Sequence, residues 1–304
     1  MAEGLVSRLQ TYSTKDGPGI RTTAFFISCN LRCVWCANPE SMYPNIKLFH
    51  QQNFCKQCGK CVALSEGTIT LENNKIVIDR ENCKILGKLP SICNYNAYVE
   101  QGQLIDAETL AKKLARDKHF FYNSNGGVTF SGGEPFLQPE LLLETMQKLK
   151  QQNIHIAIET AGLWDFDKNK AIVDLCDLFL FDIKAYDRDI HKKCTGVYND
   201  KILETVIKIA NYGKKLRIRL IIVPTFNDAK QDIIDRVHFI KSLGSAVEQV
   251  DILKYHNLGE GKYHAQGLPY PLKMLEFEED ILDNVVNETF KLCESLNLNT
   301  TIGG

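Results

Sequence analysis

The sequence has no apolar run approaching the ~20 residues of a membrane span. Its opening stretch, MAEGLVSRLQTYS, lacks the apolar core of a secretory signal. A cytoplasmic location with no membrane partner is therefore expected. A dominant charge is missing too: 36 Lys and Arg against 37 Asp and Glu leave a net charge of −1. Without a polyanion-gathering field, nucleic acid is not an expected partner. The basic group Lys214, Lys215, Arg217 and Arg219 reads instead as a strand start with a pocket lining. Long low-complexity segments and long-period repeats are also lacking. What the chain has in excess is cysteine, 11 in 304 residues. In a reducing compartment, bunched cysteines point to metal or redox chemistry rather than disulfides. Cys176, Cys194 and Cys293 are scattered and read as small buried or surface thiols.

Six short β-rich runs punctuate the chain: TTAFFISC at 22–29, GGVTFSGG at 126–133, HIAIETAG at 155–162, LFLFDIKA at 178–185, KLRIRLIIVP at 215–224 and QVDILKYH at 249–256. Amphipathic segments fall at 106–118, with Asp106 placed to cap, at 139–152, with Pro139 in the first turn, and at about 168–175, 200–212, 228–243 and 276–296. Alternating β and α implies a parallel sheet with right-handed crossovers. Six strands are two short of a closed barrel, so the expected fold is α/β, a partial (β/α)6 TIM-type barrel. Function in such folds sits at the C-terminal strand ends. There the sequence places Cys29, then Gly132, Gly133 and Glu134, Glu159 and Thr160, Asp182 and Lys184, and His256. Residues 50–105 break the alternation, with few helix signals and a hairpin-like TITLENNKIVID. The expected division is thus 1–49 as the start of the barrel, 50–105 as a small insert, and 106–304 as the rest of the barrel with a C-terminal helix.

Cys29, Cys33 and Cys36 follow the first strand as C-x3-C-x2-C. Structural zinc needs four ligands, whereas a [4Fe–4S] cluster held by three thiolates leaves one iron open to a non-protein ligand. This spacing, with Trp35 before the last cysteine, resembles the radical S-adenosylmethionine (SAM) superfamily. The resemblance implies that SAM chelates the open iron. It also implies a SAM pocket formed with Trp35, with Gly132, Gly133 and Glu134 of SGGEP, with Asp182 and Lys184 of FDIK, with Arg219 and with His256. A monovalent cation held by the counterparts of Glu159, Thr160 and Asp182 is implied as well.

YSTKDGPGIRT, at 12–22, contains a tight-turn sequence. At this distance before the cysteines it resembles the signature of glycyl radical enzyme activating enzymes, which puts Asp16, Gly17, Pro18 and Gly19 at the partner-binding face. The resemblance implies reductive cleavage of SAM to methionine and a 5′-deoxyadenosyl radical, which takes hydrogen from a backbone glycine of a partner glycyl radical enzyme. It further implies flavodoxin or ferredoxin as reductant, and a monomer when free. A radical SAM enzyme acting directly on a small molecule, or a non-catalytic iron–sulfur or zinc electron-transfer module, are the rival readings.

In the insert, CKQCGKCVALS and CKILGKLPSIC resemble the paired C-x2-C-x2-C-x3-C runs of the ferredoxin-like inserts in such activating enzymes. Ser65 replaces the fourth cysteine of the first run, and Leu86 and Leu89 the middle two of the second. In two-cluster ferredoxins the fourth cysteine of each run serves the other run's cluster. That exchange leaves one full set, Cys55, Cys58, Cys61 and Cys93, for a single auxiliary [4Fe–4S] cluster. The second site is expected to be lost, its space filled by leucine and Cys83 left unligated. A zinc ribbon on the same four cysteines is equally permitted by spacing.

Overall fold

The computed structural model describes residues 1–303. Its strands are β1 (Glu3–Ser13), β2 (Arg21–Phe26), β3 (Lys47–His50), β4 (Ile69–Glu72), β5 (Lys75–Ile78), β6 (Tyr98–Gln101), β7 (Gln103–Asp106), β8 (Gly127–Gly132), β9 (Ile156–Thr160), β10 (Leu178–Asp182), β11 (Lys215–Ile222), β12 (Val247–Lys254) and β13 (Thr300–Ile302). Nine of them form one sheet in the order β13-β12-β11-β10-β9-β8-β2-β1-β7. The six expected strands are β2 and β8 to β12, consecutive and parallel. The partial α/β barrel is thereby borne out, and its two edges stay open.

Three strands of this sheet went unforeseen. Ser7, Arg8 and Gln10 interrupt the apolar alternation of β1, which pairs antiparallel with both β2 and β7. β7 and β13 have four and three residues, shorter than any window that reveals a period. Asp106 does cap a helix, accepting from the Thr109 N–H at 2.9 Å. That helix ends at Leu114, where a tighter turn over Ala115–Asp117 follows. Pro139 opens the helix Pro139–Lys150, and Glu279–Ser295 is the long C-terminal one. Five helices were not expected: Arg188–Thr195, Glu260–Gln266, Lys118–Ser124, and the short Lys60–Leu64 and Leu89–Ile92 within 50–105.

Strand alternation sorts the sheet into two chemistries. Leu216, Ile218, Leu220 and Ile222 of β11 join Ile156, Ile158, Val128 and Phe130 in the main core, with Leu142, Met146, Val206 and Ile240 from the helices. Each such side chain contributes about 1.5–3 kcal/mol by burial. The alternate residues Thr129, Ser131, Glu159, Arg217 and Arg219 therefore share the opposite face. The barrel interior is consequently mixed, these polar groups standing beside a small buried apolar cluster of Ala157, Leu178 and Leu180.

Between β2 and β8 the chain builds a smaller unit. β3 and β6 pair antiparallel, and β4 and β5 form a hairpin whose turn residues Asn73 and Asn74 have φ of 47° and 61°. Leu48, Ile69, Cys83, Leu89, Ala97 and Tyr98 make its own core. Among the described residues no helix is long and apolar enough to cross a membrane.

Candidate active site

The loop after β2 is strapped in place from both sides. Ser28, at φ 92°, and Cys29 donate their N–H groups to the carbonyls of Ser41 and Met42. Arg32 and Val34 donate to the carbonyls of Thr195 and Cys194, at the end of the unforeseen helix. Cys194 is thus a buried thiol beside the loop, and Cys176 and Cys293 are buried too. Backbone N–H groups of Leu31 and Asn38 point to Cys29 Sγ and Cys36 Sγ, each at 3.4 Å. Burial pushes the thiols up, Cys29 and Cys36 to about 11 and Cys33 to about 12. They become thiolates only against a positive partner such as iron.

A cavity of about 580 Å3 opens beside them, lined by Cys33, Trp35, Cys36, Gly132, Glu159, Asp182, Lys184 and His256, all expected site residues. Ala37 and Asn38 join them, as do Lys254, Tyr255, Ile302 and Gly303. These were missed; their only signal in the sequence is adjacency to Cys36 or to a strand end. Burial alone would lower the Lys184 ammonium, but Asp182, at 3.0 Å, more than offsets it and holds the group above its ordinary value.

Several expected contacts are placed differently. Glu134 is fully buried and accepts from Thr160 Oγ1 at 2.8 Å, the Ala161 N–H at 3.1 Å and the Phe136 N–H at 3.4 Å. Burial raises its carboxyl to about 7. Thr160 Oγ1 also accepts from the Gly162 N–H and Trp164 Nε1. Arg219, on the inner face of β11, donates to Glu159 Oε1 and to the Lys15 carbonyl, so it lies behind the cavity wall. Of the three residues proposed for a cation, each already meets a partner: Glu159 meets Arg219 and Ser131, Thr160 meets Glu134, and Asp182 meets Lys184.

The two glycines serve backbone approach. A Cβ on Gly132, whose φ is 107°, would lie 2.4 Å from the Phe26 nitrogen, and one on Gly133 would lie 2.0 Å from the Ser28 carbonyl oxygen. They let the end of β8 close onto the cysteine loop, with the Glu134 N–H on the Ser28 carbonyl at 2.8 Å. Asp16, Gly17, Pro18 and Gly19 lead into β2: Gly19 packs against Ser124 and Gly126 at the strand's start, and Asp16 folds back over mid-strand Thr23 and Thr129. Asp16 Oδ2 accepts from Ser13 and Thr23 hydroxyls, both at 2.7 Å, and the Pro18 carbonyl accepts from the buried Arg21. Lys15 reaches back toward the cavity, donating to the Gly303 carbonyl at 3.2 Å.

In the smaller unit, Cys55, Cys58, Cys61 and Cys93 line one small pocket with Tyr95 and Tyr98. Tyr98 Oη donates to Cys61 Sγ at 3.3 Å. Cys83 is not among its walls; it is buried in the apolar core with Leu89, and Leu86 packs against them. Ser65 Oγ accepts from the Ile69 N–H and donates to the Val62 carbonyl, closing a turn.

Among the described residues no three His, Cys, Asp or Glu side chains could hold a single metal ion. A cubane asks for thiols spread around it, one per iron. The first group offers three soft thiols, two amide donors to sulfur and an adjoining cavity, and the second offers four around one pocket. Both donor sets fit iron–sulfur ligation.

A family model described as the radical SAM superfamily matches residues 24–237. The 4-hydroxyphenylacetate decarboxylase activating enzyme of Clostridioides difficile (strain 630) is 37% identical over 281 residues, covering 88% of this chain and 87% of that protein. The trans-4-hydroxy-L-proline dehydratase activating enzyme of Clostridioides difficile is 34% identical over 304 residues, 99% of each. Among solved structures, Streptococcus suis SuiB bound to S-adenosylmethionine shares the fold, with a TM-score of 0.52 and 16% identity over 68% of this chain and 45% of that one. The chain therefore belongs to the radical SAM superfamily and, within it, to the activating enzymes of glycyl radical enzymes.

Proposed function

We propose that the cavity beside Cys33 and Cys36 takes SAM, that Cys29, Cys33 and Cys36 hold the catalytic [4Fe–4S] cluster, and that Cys55, Cys58, Cys61 and Cys93 hold an auxiliary one. The observation that carries this reading is the common wall: two of the three thiols share one cavity with Lys184, Asp182 and His256. When bound, cluster and SAM supply a one-electron reductive cleavage whose 5′-deoxyadenosyl radical removes hydrogen from a partner glycine. The chain's own residues bind and orient. Lys184, held cationic by Asp182, faces the anionic end of the site, and Trp35 and Tyr255 give it apolar walls that keep water out. Glu134 acts from behind, fixing Thr160 and the turn at Ala161. A monovalent cation at Glu159, Thr160 and Asp182 would have to share these side chains with their present partners.

The nine-stranded sheet and its helices form the catalytic unit and the segment from β3 to β6 the auxiliary one, so the expected boundaries at 49/50 and 105/106 move to the start of β3 at Lys47 and the start of β7 at Gln103. The chain works as a cytoplasmic monomer, reduced by flavodoxin or ferredoxin. Its partner is a glycyl radical enzyme met at the Asp16–Gly19 turn. The relatives serve a decarboxylase and a dehydratase, so the family leaves the partner's own reaction open.

The test is anaerobic loading with iron and sulfide, then SAM, reductant and a glycyl radical enzyme encoded beside this chain. A glycine-centred radical by electron paramagnetic resonance (EPR), with matching 5′-deoxyadenosine, supports the reading. Deoxyadenosine formed only when a small molecule is added would sink it.

A further inference from the structure

The helix Glu260–Gln266 carries one side chain whose every proton is used on a single short segment. Lys262 Nζ donates to the Ala37 carbonyl at 2.9 Å, Asn38 Oδ1 at 2.8 Å and Glu40 Oε1 at 2.9 Å. An ammonium has three donors, and all are spent on the residues that follow Cys36. Glu40 is 1% exposed; its Oε1 also accepts from Arg8 at 2.8 Å, and its Oε2 has no partner among the described residues. Asn38, the middle anchor, gives its backbone N–H to Cys36 Sγ, and with Ala37 it forms part of the cavity wall.

The helix that carries Lys262 is itself fixed. At its start, a Cβ on Gly259 would come within 3.0 Å of Ala37 Cα, so helix and loop are in close backbone contact. Near its end, Arg80 donates to the Ala265 carbonyl at 3.0 Å and to the Leu48 carbonyl at 2.8 Å, tying it to the smaller unit. Lys262 does not itself line the cavity.

We propose that Lys262 is a positioning residue of the activating reaction: it clamps Ala37–Glu40 so that the Asn38 N–H stays on Cys36 Sγ and the Ala37–Asn38 wall stays where SAM binds. This rests on the preceding reading of the cavity. Amide hydrogen bonds to cluster sulfurs set reduction potential, and partners behind metal ligands commonly count for ten- to a hundredfold in affinity. A freed loop therefore weakens SAM binding and, by leaving the Cys36 thiolate more electron-rich, makes the cluster harder to reduce.

The test uses iron-loaded Lys262→Met and the double variant Lys262→Met, Glu40→Gln, read by SAM titration and by EPR-monitored redox titration. The double variant removes the carboxylate that the single one leaves half-paired, so it decides the matter if the single variant does not fold. Both are expected to bind SAM roughly tenfold more weakly, about 1.4 kcal/mol, with a more negative cluster midpoint. Wild-type affinity and midpoint in both variants would overturn the proposal. Recovery in the double variant alone would also overturn it, because the effect would then belong to an orphaned charge. Wild-type protein that itself ignores SAM would defeat the reading of the cavity instead.

Discussion

Gly133→Ala is a one-methyl perturbation whose cost can be worked from the contacts. The added Cβ would sit 2.0 Å from the Ser28 carbonyl oxygen and 2.7 Å from that of Ser41. Ordinary van der Waals contact is ~3.5 Å, so one backbone must retreat by roughly 1.5 Å. Both carbonyls belong to the straps that aim Cys29: the Ser28 carbonyl takes the Glu134 N–H, and the Ser41 carbonyl takes the Ser28 N–H. Overpacking costs about 1–3 kcal/mol, and one lost hydrogen bond adds about 1 kcal/mol. At about 2 °C per kcal/mol for a chain of this size, Tm should fall by about 4–8 °C. Misplacing a reacting centre by about 1 Å costs on the order of 10²-fold in rate. The assay is a thermal melt of the iron-loaded protein together with the rate of 5′-deoxyadenosine formation. Gly261→Ala is the control, because a Cβ there meets nothing within 4 Å and a helical alanine is favoured over glycine. A Gly133→Ala protein that melts within about 1 °C of wild type and forms deoxyadenosine at the wild-type rate would refute the reasoning.

Arg219→Met leaves Glu159, partly buried at the cavity wall, without its cation and should cost about 1–3 kcal/mol by denaturant unfolding, much of it regained by adding Glu159→Gln; equal stability of the single and double variants would contradict the pairing. Glu134, raised to about 7 by burial, holds its proton in the folded state after the unfolded chain has released its own. Wild-type stability should therefore decline as pH rises from about 4.5 to 7, by a few kcal/mol at most, and Glu134→Gln should lack that slope in pH-dependent melts. Cys93→Ala should lose about half the iron and sulfide of the wild-type protein, whereas Cys83→Ala, its thiol packed against Leu89 rather than facing the four-cysteine pocket, should keep all of it; iron loss in Cys83→Ala would reverse the ligand assignment.

The parallel strands were legible because each packs β-branched and aromatic residues into a run too short for a helix, and the cysteine spacings announced themselves. What the sequence did not carry was created by register and closure. Glu159 and Arg219 face one another only because β10 lies between β9 and β11 with Leu180 beside Glu159 and Asp182 beside Arg219. Glu134 looked like a ligand contact, yet its partners Thr160 and Ala161 belong to the neighbouring strand end and claim it within the protein. The Lys262 clamp joins residues more than 220 positions apart and has no local signature. In the smaller unit, pairing of β3 with β6 closes the segment on itself, and Cys93 shares a pocket with Cys55, Cys58 and Cys61. The edge strands β7 and β13 were simply too short to show.

The account turns on whether SAM meets an iron centre held by Cys29, Cys33 and Cys36. The most direct measurement is the EPR spectrum of the reduced, iron-loaded protein before and after SAM, in wild type, Cys29→Ala and Cys93→Ala. SAM should alter the signal in wild type and in Cys93→Ala and find nothing to alter in Cys29→Ala. A signal indifferent to SAM in wild type, or a SAM response that survives in Cys29→Ala and vanishes in Cys93→Ala, would contradict it.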